Sequence, residues 1–166
     1  MKKTHYLAGI AVALALGVAG WMAVGQRETA PAVDYVLLDG SRHNIADLKG
    51  KVVLVNFWAT SCVTCVKEMP QMVETYQKYR DRGLDFVAVA MSYDTPAYVS
   101  HFAQSRQLPF KVSIDSSGEI ARQFGDVKLT PTTYLLDKRG EVVKRYLGEP
   151  DFAALHQLVE KLLAEG

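Results

Sequence analysis

Val52-Val53-Leu54-Val55-Asn56-Phe57-Trp58-Ala59-Thr60-Ser61-Cys62-Val63-Thr64-Cys65 decides how this chain is read. Its first half is apolar and β-branched without alternation, as expected of a strand buried on both faces of a sheet. Beyond it, Val66, Met69, Val73 and Tyr76, with Tyr79 or Arg80, recur at helical spacing over residues 66–82 and predict an inward-facing stripe. The only two cysteines therefore fall where a buried strand should end and a helix begin. A helix N-terminus has unpaired N–H groups and a partial positive charge. A thiolate held there is stabilised, so its pKa falls and it becomes a nucleophile near neutral pH. The second cysteine lies about one turn along the same face and can close a disulfide with the first. The pattern is that of a dithiol/disulfide switch.

Working outward toward the C-terminus, Pro70 is expected to kink the helix and Gly83 to end it. Residues 84–91 read as a second buried strand. Asp94 or Thr95, before Pro96, supplies the cap of a helix reaching about residue 107. Residues 110–114 form a third strand and 119–124 a short helix. Residues 132–136 and 141–146 flank Asp137-Lys138-Arg139-Gly140 as an antiparallel hairpin. Asp151 caps a last helix with Phe152, Leu155, Val159 and Leu162 on one face. Toward the N-terminus, residues 35–38 read as a strand, Asp39-Gly40 as a hairpin turn and residues 45–48 as a single helical turn. Strands that cross over helices and finish in a hairpin imply an α/β domain, with a mixed central sheet and helices on both faces.

Lys2, Lys3 and His5 precede an uncharged apolar run, residues 6–24, nearly long enough to span a hydrocarbon core as a helix. The lysines place the N-terminus in the cytoplasm and the rest of the chain on the far side. Residues 1–25 are thus expected to be one N-terminal transmembrane anchor or uncleaved signal, 26–32 a polar linker, and 33–166 the folded domain. A cleaved signal peptide is the rival reading, but small-x-small patterns such as Ala11-Val12-Ala13 lie inside the apolar run instead of at its end. A chain of 166 residues with 49% apolar content accommodates one domain and this appendage. Its net charge of +1 gives no footprint for nucleic acid.

Outside the cytoplasm cysteines often serve as structural staples, yet a C-x-x-C closes too small a loop to restrain much of the unfolded chain. A tetrahedral metal site would need two further ligands, and His43, His101 and His156 lack ligand spacing to one another. No metal site is assigned. A module holding copper(I) between the two soft thiolates is the non-enzymatic alternative.

Residues 53–65, with Lys67-Glu68-Met69-Pro70 after them, resemble a thioredoxin-fold family, the membrane-anchored TlpA/ResA/CcmG group. Leu38-Asp39-Gly40 and Asp47-Leu48-Lys49-Gly50-Lys51 resemble that group's N-terminal β-hairpin. The strand and helix within residues 91–114 resemble its central βα insertion, and Leu129-Thr130-Pro131-Thr132-Thr133 its cis-proline loop. The similarity covers roughly residues 33–164. It implies that Cys62 is the exposed nucleophile and Cys65 the buried resolving thiol of a redox-active disulfide, with no other cofactor. It implies a cis Pro131 facing the cysteines, with the Thr130 backbone pairing with a substrate segment. Glu68 falls where the group often places an acid, one turn from Cys65, and would move a proton to or from that thiol. Trp58 resembles the tryptophan beneath the active site and is assigned to substrate binding, although a core aromatic explains it equally.

Four positions depart from the pattern. Asn56 stands where thioredoxins carry a buried aspartate, and asparagine cannot titrate, which shifts proton transfer onto Glu68. Ser61 replaces the usual tryptophan before the first cysteine, and Val63-Thr64 the usual dipeptide between the two, where thiol pKa and potential are tuned. The expected activity is an extracytoplasmic, membrane-tethered thiol–disulfide oxidoreductase that reduces protein disulfides in cytochrome c or copper-centre maturation. The resemblance implies a membrane relay of the DsbD/CcdA type as electron donor, and the expected location is the outer side of a bacterial cytoplasmic membrane. A thiol oxidase or isomerase using the same cysteines is the alternative. A peroxidase is disfavoured, because Val55 and Ala59 occupy the positions of that family's proline and threonine.

Overall fold

The computed structural model describes residues 27–165, so the anchor expected at 1–25 lies outside the described residues. The chain runs β1 (Asp34–Val36), β2 (Arg42–Asn44), a 3-10 turn (Ile45–Leu48), β3 (Val52–Trp58), α1 (Val63–Tyr79) and a second 3-10 turn (Arg80–Arg82). It continues through β4 (Leu84–Ala90), α2 (Pro96–Ser105), β5 (Lys111–Ile114), α3 (Glu119–Gln123), β6 (Thr132–Leu136), β7 (Val142–Leu147) and α4 (Phe152–Ala164). Five strands form one mixed sheet in the order β5-β4-β3-β6-β7. β3 is parallel to β4 and antiparallel to β6. β1 and β2 form a separate antiparallel hairpin, and Leu37 just beyond β1 bridges to Ser113 on the edge strand β5.

Every residue of β3, β4 and β6 is buried, which is why these segments carry no apolar–polar alternation. Alternate side chains of β3 enter two cores on opposite faces. Leu54 and Trp58 pack with Met69 and Met72 of α1, Val99 of α2, and Leu155 and Val159 of α4. Val53, Val55 and Phe57 pack with Ile120 and Phe124 around α3, and with Tyr35 and Ile45 from the N-terminal hairpin. Helices therefore cover both faces, as the sequence implies.

The face that α1 buries differs from the expected one. Its buried residues are Cys65, Glu68, Met69, Met72, Thr75 and Tyr79, while Val66, Val73 and Tyr76 are half-buried at the margin. Hydrogen bonds admit the two polar members: Asn56 to Glu68, and Thr75 to the Gln71 carbonyl and to His156. His156 is accordingly half-buried. α1 continues unbroken from Val63 to Tyr79 with Pro70 inside it. Gly83 closes the following 3-10 turn with a φ of 104°, a conformation that suits glycine.

Candidate active site

Cys62 is the N-cap of α1, and its Sγ accepts the Cys65 N–H at 3.2 Å. The two sulfurs are joined in a disulfide, with Sγ–Sγ 2.15 Å and Cα–Cα 5.2 Å. They are not equivalent. Cys62 is half-buried, whereas Cys65 is 0% exposed in the core beneath α1. Only one sulfur can be reached from solvent, and it is the one held by a helix N-terminal N–H.

Loops from three strands meet at this end of the sheet. Between β3 and Cys62, Thr60 donates its N–H and hydroxyl to the Asp94 carboxylate, the hydroxyl at 2.6 Å. Asp94 follows β4, is nearly buried and also accepts the Thr95 N–H. The sequence suggests Asp94 or Thr95 as helix cap. Thr95 holds the N-cap position without a side-chain bond, and Asp94 braces the redox loop instead. Thr132 pairs with Phe57, so the segment just before it leaves the sheet at the same end as residues 59–62. That segment contains the cis Thr130–Pro131 bond, as the resemblance implies. Tyr93 lies with its hydroxyl 3.2 Å from Thr130 Oγ1, linking the second loop to the third. Val63, Tyr93 and Leu129 are exposed apolar side chains on these segments.

Glu68, one turn beyond Cys65, is 1% exposed. Its Oε1 accepts from Asn56 Nδ2 at 3.2 Å, and the same Nδ2 donates to Thr133 Oγ1 at 2.8 Å. Glu68 Oε2 and Asn56 Oδ1 have no hydrogen-bond partner. Burial pushes the Glu68 carboxyl up to about 7, against the Asn56 bond and with help from the negative charge of Glu149. Lys67 holds Glu149 at 3.1 Å.

Trp58 departs from its assignment to substrate binding. It is 0% exposed and packs against Phe102 at 5.1 Å between ring centroids, so it offers no surface to a partner. Its size fills the layer between β3 and α2, the core alternative that the sequence leaves open. Sequence reasoning also missed Asp94, Thr133 and Tyr93, whose parts depend on long-range contacts. Among the described residues no three His, Cys, Asp or Glu side chains gather to hold a metal ion.

A disulfide with one sulfur reachable and the other sealed, carried on this sheet order, defines a class: thioredoxin-fold thiol–disulfide oxidoreductases. Comparison with known proteins narrows it. The chain matches the Redoxin family over residues 23–159. It is 38% identical over 125 residues to thiol-disulfide oxidoreductase ResA of Bacillus thuringiensis subsp. konkukian, which spans 75% of this chain and 71% of that protein. A thioredoxin-like protein of Neisseria meningitidis, solved in solution, superposes with a TM-score of 0.78 at 37% identity, covering 85% of this chain and 93% of its own. A thiol:disulfide interchange protein of Chlorobium tepidum superposes with a TM-score of 0.76 at 28% identity, over 84% of this chain and 99% of its own. The chain belongs to the Redoxin family, in its TlpA/ResA/CcmG-like group.

Proposed function

We propose that this protein reduces disulfides of exported proteins, tethered to the outer face of a bacterial membrane by residues 1–25. The observation that carries the reading is the inequality of the two sulfurs: Cys62 reachable at the helix cap, Cys65 sealed. In the dithiol form, the Cys62 thiolate attacks one sulfur of a substrate disulfide. A Cys62–substrate bond forms, the substrate S–S bond breaks, and its second sulfur leaves as thiolate. Cys65 gives its proton to Glu68 and attacks Cys62 Sγ. The Cys62–Cys65 bond forms and the first substrate sulfur departs, so two electrons pass to the substrate.

A carboxyl poised near pH 7 is suited to receiving and returning that proton. The Cys65 N–H that points at Cys62 Sγ supports the attacking anion. The Thr130–Pro131 segment, at the same sheet end, is the surface along which the substrate backbone would lie. Candidate substrates are cysteines of an apocytochrome c awaiting haem, or of a copper-centre protein. Because an exported compartment is kept oxidising, turnover needs an electron donor, for which a membrane relay of the DsbD/CcdA type is the partner of choice.

Two measurements test this. A Cys65→Ser variant should accumulate a disulfide-linked partner through Cys62, and recovering none would count against the reading. The reduction potential should lie nearer the roughly −270 mV of thioredoxin than the roughly −120 mV of a strong periplasmic oxidant; the opposite result would make the protein an oxidase.

A further inference from the structure

The first described residues are fastened to the domain before β1 begins. Val142, the first residue of β7, donates its N–H to the Glu28 carbonyl at 2.7 Å, and Ala30 donates to the Gly140 carbonyl at 2.8 Å. Thr29 bridges Glu141 in antiparallel fashion, and Arg27 reaches the Asp137 carboxylate at 3.5 Å. Residues 28–30 thus lie along the outer edge of β7, where that strand leaves the hairpin turn. Leu136 pairs with Val142 on one side and with Val53 on the other, so Glu28 is level with the start of β3. Cys62 lies beyond the opposite end of β3.

Chain length then limits how the domain can face a membrane spanned by residues 1–25. The apolar run ends at Val24, and Glu28 is four residues on, a reach of at most about 14 Å. The headgroup layer takes up about 5–8 Å of it. Phe57 stands four residues along β3 from Val53, about 13 Å at the rise of a strand. With the cysteine end turned toward the bilayer, Phe57 would lie that far below Glu28, and Cys62, further out, would sit inside the lipid. The short connection excludes that orientation. It leaves the hairpin turn and the β7 edge as the part of the domain nearest the headgroups.

The charges there suit such a neighbour. Residues 27–30 and 137–147 carry five cations, Arg27, Lys138, Arg139, Lys144 and Arg145, against three acids, Glu28, Asp137 and Glu141. Arg27 and Arg139 occupy Asp137, and Arg139 also holds Glu141. Lys144 and Arg145 are exposed and make no ion pair among the described residues; they stand over the rings of Tyr146 and Tyr134. Successive strand residues point to opposite faces, so the edge offers a cation on each side. Charge on an open edge strand also discourages pairing with other chains. Here its place beside a short connection to the bilayer gives it a lipid partner, because exposed cations within a Debye length of anionic headgroups are drawn to them.

We propose, on the basis of the anchor at residues 1–25, that the β6–β7 hairpin and the outer edge of β7 dock on anionic phospholipid headgroups through Lys144 and Arg145. The redox disulfide is then held at the far end of the sheet, clear of the bilayer.

The test places oxidised, isotope-labelled, full-length protein in phosphatidylglycerol nanodiscs that carry a gadolinium chelate on a lipid headgroup. Amide NMR signals of residues 138–145 should be attenuated severalfold more than those of residues 60–65. Equal attenuation, or stronger attenuation at 60–65, would overturn the proposal. Phosphatidylcholine discs, which carry no net charge, should narrow the contrast. Lys144→Glu combined with Arg145→Glu should narrow it in the anionic discs, while reduction of a soluble disulfide by that variant stays unchanged. A contrast indifferent to both changes would also overturn the proposal, since the connection alone would then set the orientation. Failure of the anchor is distinguishable: the protein would not co-purify with the discs at all, whereas failure of the docking leaves it bound without contrast between the two ends.

Discussion

Replacing Glu68 by glutamine keeps the size of the side chain and its acceptor toward Asn56 while removing the ionisable group. The wild-type carboxyl is 1% exposed and is displaced from its ordinary 4.5 to about 7, chiefly by burial. At 1.36 kcal/mol per pH unit, that displacement means the fold favours the neutral form by about 3 kcal/mol. The sign follows from proton counts. Between pH 4.5 and about 7 the folded state holds a proton that the unfolded state has released, so stability falls as pH rises across that window. Its full value is present below the window, and above it the curve is level. Glu68→Gln has no such proton to lose. Urea unfolding of the oxidised wild type and variant, from about pH 4 to about pH 8.5, isolates this group because other titrations cancel in the difference. The wild type should lose ~3 kcal/mol relative to the variant across the window. A difference that stays constant within about 0.5 kcal/mol would show that Glu68 ionises as it does in water, and the burial argument would fall.

Asp94→Ala removes the acceptor for the N–H and hydroxyl of Thr60, and should cost ~1–3 kcal/mol by urea unfolding while speeding hydrogen exchange at Thr60. Met72→Ala, at a 0% exposed position beneath α1, should cost ~2–5 kcal/mol, read from the shift of the unfolding midpoint. Asp85 is a different case. Burial would raise its carboxyl, but hydrogen bonds from Lys111 at 2.6 Å and Lys51 at 2.9 Å outweigh that and hold it below 3.8. Its contribution is therefore present above that value and lost as pH falls through the lower one. Asp85→Asn should cost about 1–2 kcal/mol at neutral pH, a modest figure because both lysines remain partly exposed. Wild type and variant should converge in acid unfolding as Asp85 becomes protonated.

Much of this architecture is legible wherever one residue pattern answers one environment. β3 and β4 lack alternation because both of their faces are covered, and their sequence says so directly. The last helix buries Leu155, Val159 and Leu162, three of the four residues its periodicity singles out. The cysteines mark the strand–helix junction without help from the rest of the chain. Legibility ends where a polar side chain enters the core, because its partner is set by the fold and not by spacing. Asn56 and Thr133 are 77 positions apart, and nothing local marks them as a pair. Glu68 and Thr75 turn the buried face of α1 away from Val66 and Val73 for the same reason. Hydrophobicity alone ranks the valines higher. Trp58 was ambiguous on sequence grounds because a buried ring and a contact ring look alike until a neighbour such as Phe102 covers one.

The distribution of unpaired atoms ties these strands of argument together. Among the described residues, six buried side-chain atoms have no hydrogen-bond partner. Three of them, Asn56 Oδ1, Trp58 Nε1 and Glu68 Oε2, belong to the single strand–helix unit that carries the cysteines. Each such atom costs ~1–3 kcal/mol, a sizeable part of the net stability of a small domain. The opposite side of the same site is satisfied: Asp94 takes both donors of Thr60 and holds the loop before Cys62 in place. A thiol-exchange site needs that division. The attacking sulfur must be presented in one fixed geometry, so its loop is braced. The group proposed to accept and return a proton must be stable in two states, and donors fixed on both of its oxygens would favour the carboxylate alone. Burial is what holds a carboxyl near pH 7 inside this core, and a fixed donor supplied to Glu68 Oε2 should return it toward its ordinary 4.5.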